Sequence, residues 1–473
     1  MTGGVGDVAT VPGSFRDPAG HVVRREGRIY RTINRVAVED FDYVRKTAFY
    51  QSAVSDGRLI AARLLDHHEA QSIARDAVYV VEHPSLPFVS YPYEWCFPEL
   101  KAAALHHLEL QLSALESGVS FSDASAYNIQ FVGTQPLFID TLSLRPYRPG
   151  ELWAGHRQFC EQFLNPLLLR ALLGVPHNAW YRGTQGGILT KDLRKLLRLR
   201  HKLSRRVGTH VVLQDILQDS VGKKPGLAVS SLAQAGLPVS GFRKLLRDLR
   251  NWVGALKPLD TGVTVWRDYA REHSYSSEEV AAKKAFISEF VSRNRLRGVW
   301  DIGCNTGEYA VSALHGGAEH VVGFDFDQGA LEVAFARSVE ERLEFLPLFL
   351  DAANPSPSQG WEQRERDGLQ QRATCDGLVA LALVHHLAIT HNIPLEWVVR
   401  WLVELAPRGV IEFVPKTDPM VQELLKLRQD IFPDYHEQAF LAHLRCIASV
   451  GRSIPSSASG RLLVEFTRSS SVS

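Results

Sequence analysis

Between Val299 and His315 the chain reads VWDIGCNTGEYAVSALH, a short apolar run, a tight turn and the start of a helical stretch. Glycines in such a turn let the backbone take up positive φ and come close to a ligand. The helix start behind them presents unpaired N–H groups to a carboxylate. The next apolar run, at the start of HVVGFDFD, ends at Asp325, 24 residues after Asp301, where an acidic side chain can accept both hydroxyls of a ribose. A third run, LEFLPLFLD, ends at Asp351. Any strand-to-helix turn can carry glycines, so the turn alone says little. Its combination with acids at successive strand ends points to one ligand-binding edge of a parallel sheet.

A fourth run, CDGLVALALVHHL, spans 375–387 and delivers His385 and His386 to the same edge. A histidine there can take a proton from an oxygen or nitrogen nucleophile; the alternative is one buried, hydrogen-bonded ring and one that shapes a pocket. With His391 nearby a metal reading arises, but no carboxylate sits at ligand spacing beside the three. The fifth run, RGVIEFVPKTDPM, brings Glu412, Lys416 and Asp418 to this edge, either to orient a second substrate or as ordinary loop charges. Ahead of the glycine turn, WRDYAREHSYSSEEVAAKKAFISEF carries a capping-box pattern from Ser276 to Glu279. Its Trp266, Tyr269 and Tyr275 are either a lid or the packing face of a first helix.

Two further groups lie upstream. Asp123 precedes Asn128 by five residues and Asp140 follows it by twelve, with a strand pair in between. Residues 191–206, KDLRKLLRLRHKLSRR, hold eight basic side chains and one acid. Leu193, Leu196, Leu197 and Leu203 recur there at helical spacing, which predicts a basic amphipathic helix. That helix is either a solvated packing element or a dock for an anionic partner such as RNA, an acyl carrier protein or an acidic membrane surface.

The elements that must position these residues are an α/β set. A chain of 473 residues exceeds one ordinary core. Residues 1–28 read as a loose lead-in, 29–205 as an α+β domain, and 206–255 as a helical connector broken by GKKPG and GLP. Residues 256–473 alternate strands with helices, as βαβ units and a parallel sheet require. The charges are nearly balanced, 53 basic against 52 acidic, but unevenly placed: residues 256–473 hold 22 Lys+Arg and 29 Asp+Glu, the rest 31 and 23. An acidic C-terminal domain is poorly suited to gripping phosphates, so nucleic acid is disfavoured and a small-molecule acceptor favoured. The five cysteines are scattered without CxxC spacing, which argues against a disulfide framework or zinc site and for a cytoplasmic location. The start MTGGVGDVATVPGSF lacks signal-peptide character, and no apolar run approaches the ~20 residues of a membrane span.

With these residues in place, the stretch 301–307 resembles motif I of the class I S-adenosylmethionine-dependent methyltransferases, D-x-G-x-G-x-G, with Asn305 at the middle glycine. The resemblance covers about 220 residues. It implies a Rossmann-like, mostly parallel sheet closed by an antiparallel hairpin, for which RCIASVGRSIPSSASGRLLVEFTR supplies two strands and a polar turn. It also implies S-adenosyl-L-methionine as cofactor. Asp301, Gly303, Asn305 and Gly307 would then shape the pocket for the methionine moiety, Asp325 would hold the ribose, and Asp351 would read the adenine amino group. His386, and secondarily His385, would face the acceptor of an O- or N-methylation. A dinucleotide enzyme also places acids at Asp301 and Asp325, but the loop lacks the third glycine of G-x-G-x-x-G. Two other readings stay open: an RNA methyltransferase guided by 191–206, and a non-catalytic binding module.

Upstream, the Asp123–Asn128–Asp140 spacing resembles the catalytic and metal loops of the protein-kinase-like fold. By that resemblance Asp123 would be the base, with Asn128 and Asp140 holding Mg²⁺. A Gly-rich phosphate loop is missing, Arg63 is the nearest counterpart of the strand-three lysine, and Ser122 stands where His or Arg is usual. These departures leave two readings open: a degenerate kinase-like shell that no longer transfers phosphate, and an unrelated domain in which the D…N…D spacing occurs by chance. Along the whole chain, YPYEW, RQFCEQFLNPLLLRALLG and EFVPKTDPM also resemble the methyltransferase-type nodulation proteins of rhizobia.

Overall fold

A computed structural model describes residues 9–213, 237–260, 277–426 and 429–469. The chain divides into two compact units: Met1–Phe131 with Gln135–Thr261 and Gln359–Arg366, and Val132–Thr134 with Gly262–Ser358 and Asp367–Ser473.

The second unit is built on a seven-stranded sheet. Its strands are β10 (Gly298–Ile302), β11 (His320–Asp325), β12 (Phe345–Phe349), β13 (Gly377–Ala380), β14 (Arg408–Phe413), β15 (Ala448–Pro455) and β16 (Leu462–Arg468). They lie in the order β12-β11-β10-β13-β14-β16-β15. The first five are parallel, while β16 runs antiparallel to β14 and β15 antiparallel to β16. Every residue of β10 and β13 is buried, as continuous apolar strands covered on both faces must be. The expected mostly parallel sheet with an antiparallel terminal hairpin is present. The chain leaves β10 to one side and returns to β13 on the other, so the topological switch lies at the C-terminal end of β10, where open α/β sheets bind ligands. Helix Ser277–Asn294 packs against helix Glu308–His315, and Leu395–Leu405 against Glu437–Ile447.

Two strands stop earlier than the sequence pattern predicts. β12 ends two residues before Asp351, and β13 ends at Ala380, ahead of His385. At Ala382 the backbone takes φ +50°, a left-handed conformation that no strand continues through. A π-helical turn, His386–Thr390, follows.

In the first unit, β1 (Ala9–Thr10), β2 (Val22–Arg25), β3 (Arg28–Ile33), β4 (Arg63–Leu64) and β5 (Tyr79–His83) form an antiparallel sheet in the order β1-β2-β3-β5-β4. The loose lead-in expected over 1–28 is therefore corrected for residues 9–28: Glu26 and Gly27, both at positive φ, make the tight turn that pairs β2 with β3. Helix Phe97–Glu116 is the central buried element, and helix Val239–Ala255 packs along it through a stripe of Phe242, Leu246, Leu249 and Val253. Two small ribbons complete the unit, β6 (Val119–Phe121) with β9 (Leu144–Pro146) and β7 (Ile129–Val132) with β8 (Gln135–Phe138).

The predicted helix over 191–206 is three short pieces, Thr190–Leu196, Leu199–Lys202 and Arg205–Val207. Extended backbone at Leu197, Arg198 and Ser204 breaks the helical register, so Leu193 and Leu197 are buried while Leu196 and Leu203 are exposed. Of the connector proposed over 206–255, residues 214–236 lie outside the described residues, as do Trp266, Tyr269, Tyr275 and Ser276.

Candidate functional site

The glycine turn is fixed by its backbone. Gly303 and Gly307 both sit at φ +84°, and a Cβ at Gly307 would stand 2.6 Å from the Phe345 ring. The amides of Gly303 and Cys304 donate to the Phe324 carbonyl at 2.7 and 3.0 Å, tying the turn to β11. Asn305, at φ +48°, replaces a glycine without great strain because asparagine tolerates the left-handed region; its Oδ1 accepts the Thr306 amide at 2.8 Å. Gly307 caps the helix Glu308–His315 without a side-chain acceptor for its first turn.

Asp301 sits beneath that helix start, almost wholly buried, and accepts the Ala310 amide. Its Oδ2 has no protein partner among the described residues. Burial, reinforced by the charge of Asp325, pushes its carboxyl up to about 8. Asp325 closes β11 and is held from both sides: Oδ2 accepts the Asn305 amide and Oδ1 the Asp327 amide, each at 2.8 Å. Burial raises its carboxyl above the usual range. Asp351 lies just past β12 and accepts the Ala353 amide at 3.0 Å. Asp301, Gly303, Asn305, Gly307 and Asp325 thus meet around the end of β10, with Asp351 just past the end of β12, the strand beyond β11. Phe326 went unremarked in the sequence, though FDFD carries it: its ring is 63% exposed beside Asp325 and lies 6.2 Å from that of Phe349.

Past β13, the rings of His385 and His386 stand 4.2 Å apart. Burial depresses both, His386 to about 4 and His385 well below its ordinary value, so both are neutral at pH 7. His385 is the buried member, with no partner for Nδ1 among the described residues, and His386 is half-buried. The charges predicted on strand five have other work. Glu412 is fully buried and paired with Lys283 at 2.6 Å, and it accepts the Ala382 amide and the Ser456 hydroxyl, both at 2.9 Å. Asp418 is buried in a two-pronged pair with Arg461 at 2.6 and 2.9 Å. Lys416 pairs with Asp430 at 2.8 Å. These three hold loops; they do not point into the ligand edge as free charges.

In the first unit, the Asn128 amide nitrogen stands 3.2 Å from Asp123 Oδ1 and 3.4 Å from Asp140 Oδ2, so the three side chains lie together. Burial and the neighbouring Asp140 raise Asp123 to about 7. The cation facing this cluster is Arg31 of β3, 3.7 Å from Asp140 and paired with Asp17. Arg63, the counterpart suggested by sequence, lies on β4 and pairs with Glu82 and Glu69.

No family model matches this chain. The nodulation protein NoeA of Rhizobium meliloti (strain 1021) is 45% identical over 460 residues, 97% of this chain and 96% of that protein. Among solved structures, the N-methyltransferase NodS from Bradyrhizobium japonicum WM9, in complex with S-adenosyl-l-homocysteine, superposes with a TM-score of 0.31 at 11% identity, covering 43% of this chain and 97% of its own. The PH0226 protein from Pyrococcus horikoshii OT3 superposes at 0.30 and 15% identity, covering 44% and 100%. WbdD does so at 0.29 and 16%, covering 46% and 47%. The near-half identity along almost the whole of both chains decides the family: this protein belongs to that of nodulation protein NoeA.

Proposed function

We propose that the second unit binds S-adenosyl-L-methionine and transfers its methyl group to an oxygen or nitrogen of a small or medium-sized acceptor. The observation that carries this reading is Asp301 Oδ2, a buried acceptor without a protein partner among the described residues, beneath an uncapped helix start and beside the strand-end carboxylate of Asp325. An ammonium fits the first, a carboxylate the second, and a ribose diol the third. These are the polar parts of adenosylmethionine. Asp351 would accept from the adenine amino group, and the exposed ring of Phe326 offers it a face to stack on. The cofactor supplies a methyl already activated by its sulfonium. The chain's share is to exclude water and align the acceptor, the larger part of the rate when the electrophile is so activated. His386, the more open of the histidine pair, would take the acceptor's proton, although a ring depressed to about 4 is a weak base. The acidic balance of residues 256–473 favours this acceptor class over RNA. The five cysteines, all but Cys446 buried and none in a disulfide, suit a reducing cytoplasm.

Calorimetry tests the assignment. Adenosylmethionine is expected to bind, and Asp325→Ala to weaken it by roughly 1–3 kcal/mol, because the ribose hydroxyls lose a charged acceptor. Absence of binding, or binding indifferent to that change, rejects the reading.

A second reading concerns the first unit and rests on the convergence of Asp123, Asn128 and Asp140. It is a degenerate kinase-like shell that does not transfer phosphate. Without a Gly-rich loop or a cradle lysine, most of the stabilisation of a transferring phosphoryl group is lacking. The expected outcome is no labelled phosphate moved from ATP to protein, substrate or water. Transfer that disappears in Asp140→Ala would establish an active kinase.

A further inference from the structure

The sequence discouraged a zinc site because its cysteines are scattered, but the fold gathers one of them with two histidines. His156 opens the helix His156–Phe159, Cys160 follows four residues later on the same face, and His210 comes from a segment fifty residues on. His156 Nε2 stands 3.1 Å from His210 Nδ1 and 3.7 Å from Cys160 Sγ, and one ligand atom from each residue lies within 4.8 Å of the others. We propose that His156, Cys160 and His210 bind a divalent transition-metal ion, zinc foremost, inside the first unit.

The distances carry the argument first. Tetrahedral zinc with bonds of about 2.0–2.1 Å to nitrogen and 2.3 Å to sulfur sets its ligand atoms roughly 3.3 Å (N to N) and 3.6 Å (N to S) apart. The observed 3.1 and 3.7 Å match that template within the shift that binding itself brings. The local backbone is the second support. Cys160–Leu164 and Gly208–Leu213 are both π-helical, a rare winding that re-aims side chains and recurs at functional sites. Binding forms one sulfur–metal and two nitrogen–metal bonds and releases the thiol proton to solvent.

Around the trio, the Trp153 ring lies 5.5 Å from His156 and the Trp252 ring 5.9 Å from His210, an apolar wall of the kind that strengthens metal–ligand bonds. Asp248 adds a negative charge acting on His210. Three protein ligands leave the fourth tetrahedral position to water. The ion would clip the segment bearing His210 to the helix that carries His156 and Cys160, a link the apolar contacts alone do not make directional.

The test uses the full chain, without a histidine tag, produced with zinc and dialysed into metal-free buffer. Elemental analysis is expected to find one zinc per chain, lost in Cys160→Ser and in His210→Ala. Because those variants could unfold, the intact protein supplies an independent readout. After exchange into cobalt(II), a thiolate-to-cobalt charge-transfer band and tetrahedral d–d bands should appear, and should persist in Cys446→Ser, which removes the exposed thiol. A chain that takes up no zinc and shows no thiolate–cobalt band overturns the proposal. So does a band that survives Cys160→Ser.

Discussion

Asp301 holds a proton at neutral pH that its proposed ligand has reason to expel. Its carboxyl stands near 8 because burial and Asp325 both oppose ionisation. With the folded value above the unfolded one, Asp301 stabilises the ligand-free fold most at low pH. That contribution is lost as pH rises from the ordinary carboxylate range through about 8. A bound ammonium favours the charged form, so below pH 8 binding should release up to one proton, and affinity should climb with pH and then level. Calorimetry at pH 7 in two buffers of different ionisation enthalpy reads this release directly. Asp301→Asn should abolish it and weaken binding by roughly 1–3 kcal/mol above pH 8. An unchanged proton count in the variant would remove Asp301 from the ammonium site. At this scale the sequence was informative where chemistry forces a residue type. Asn305 could stand for glycine because asparagine tolerates positive φ, and Asp325 closed its strand as predicted. It was uninformative about protonation, since the burial that shifts Asp301 is made by residues distant in the chain.

Elements are where the sequence misled most. Glu412, Lys416 and Asp418 stand at the ligand edge by position, yet each is already committed to a partner that no local pattern reveals: Lys283 lies 129 residues from Glu412, and Arg461 lies 43 from Asp418. The run 191–206 has helical periodicity, but three extended residues divide it, a tertiary demand that propensity does not record. The Lys283–Glu412 pair joins helix Ser277–Asn294 to β14, and through the Ala382 amide it pins the positive-φ turn ahead of His385 and His386. Removing one partner should leave a buried charge uncompensated. Lys283→Met is therefore expected to destabilise the unit by about 3–5 kcal/mol, and Lys283→Met with Glu412→Leu to recover part of that. Chemical denaturation measures both. Equal deficits in the single and double variants would mean that the pair does not act as a unit.

Taken whole, the molecule was most legible where strands and helices alternate. Continuous apolar strands with an acid at each end specify a parallel sheet and its binding edge together, whereas the first unit's short strands and long central helix leave weaker periodic signals. The zinc-type trio was invisible for a related reason: only the helical i, i+4 pair His156 and Cys160 is local, and His210 arrives through packing. Charge is the property the whole sequence does state, and it divides the two acceptor classes. With 29 acidic against 22 basic residues from 256 onward, the second unit repels a polyanion, and any nucleic-acid grip would have to come from the basic run at 191–206. Leu196, Leu199 and Leu203 are exposed there among the cations, so the run is accessible to such a partner. If the acceptor is a small molecule, replacing the eight Lys and Arg side chains by Gln should leave turnover and its salt dependence almost unchanged. An RNA acceptor would instead bind with an affinity that falls steeply with salt, by a slope of about 0.9 per phosphate contact on duplex and 0.7 on single strands, and the same substitutions would flatten it. Methyl transfer assayed across a salt series in the parent and substituted chains separates the two. A steep slope abolished by the substitutions would overturn the small-molecule reading while leaving the cofactor site, tested separately at Asp301 and Asp325, intact.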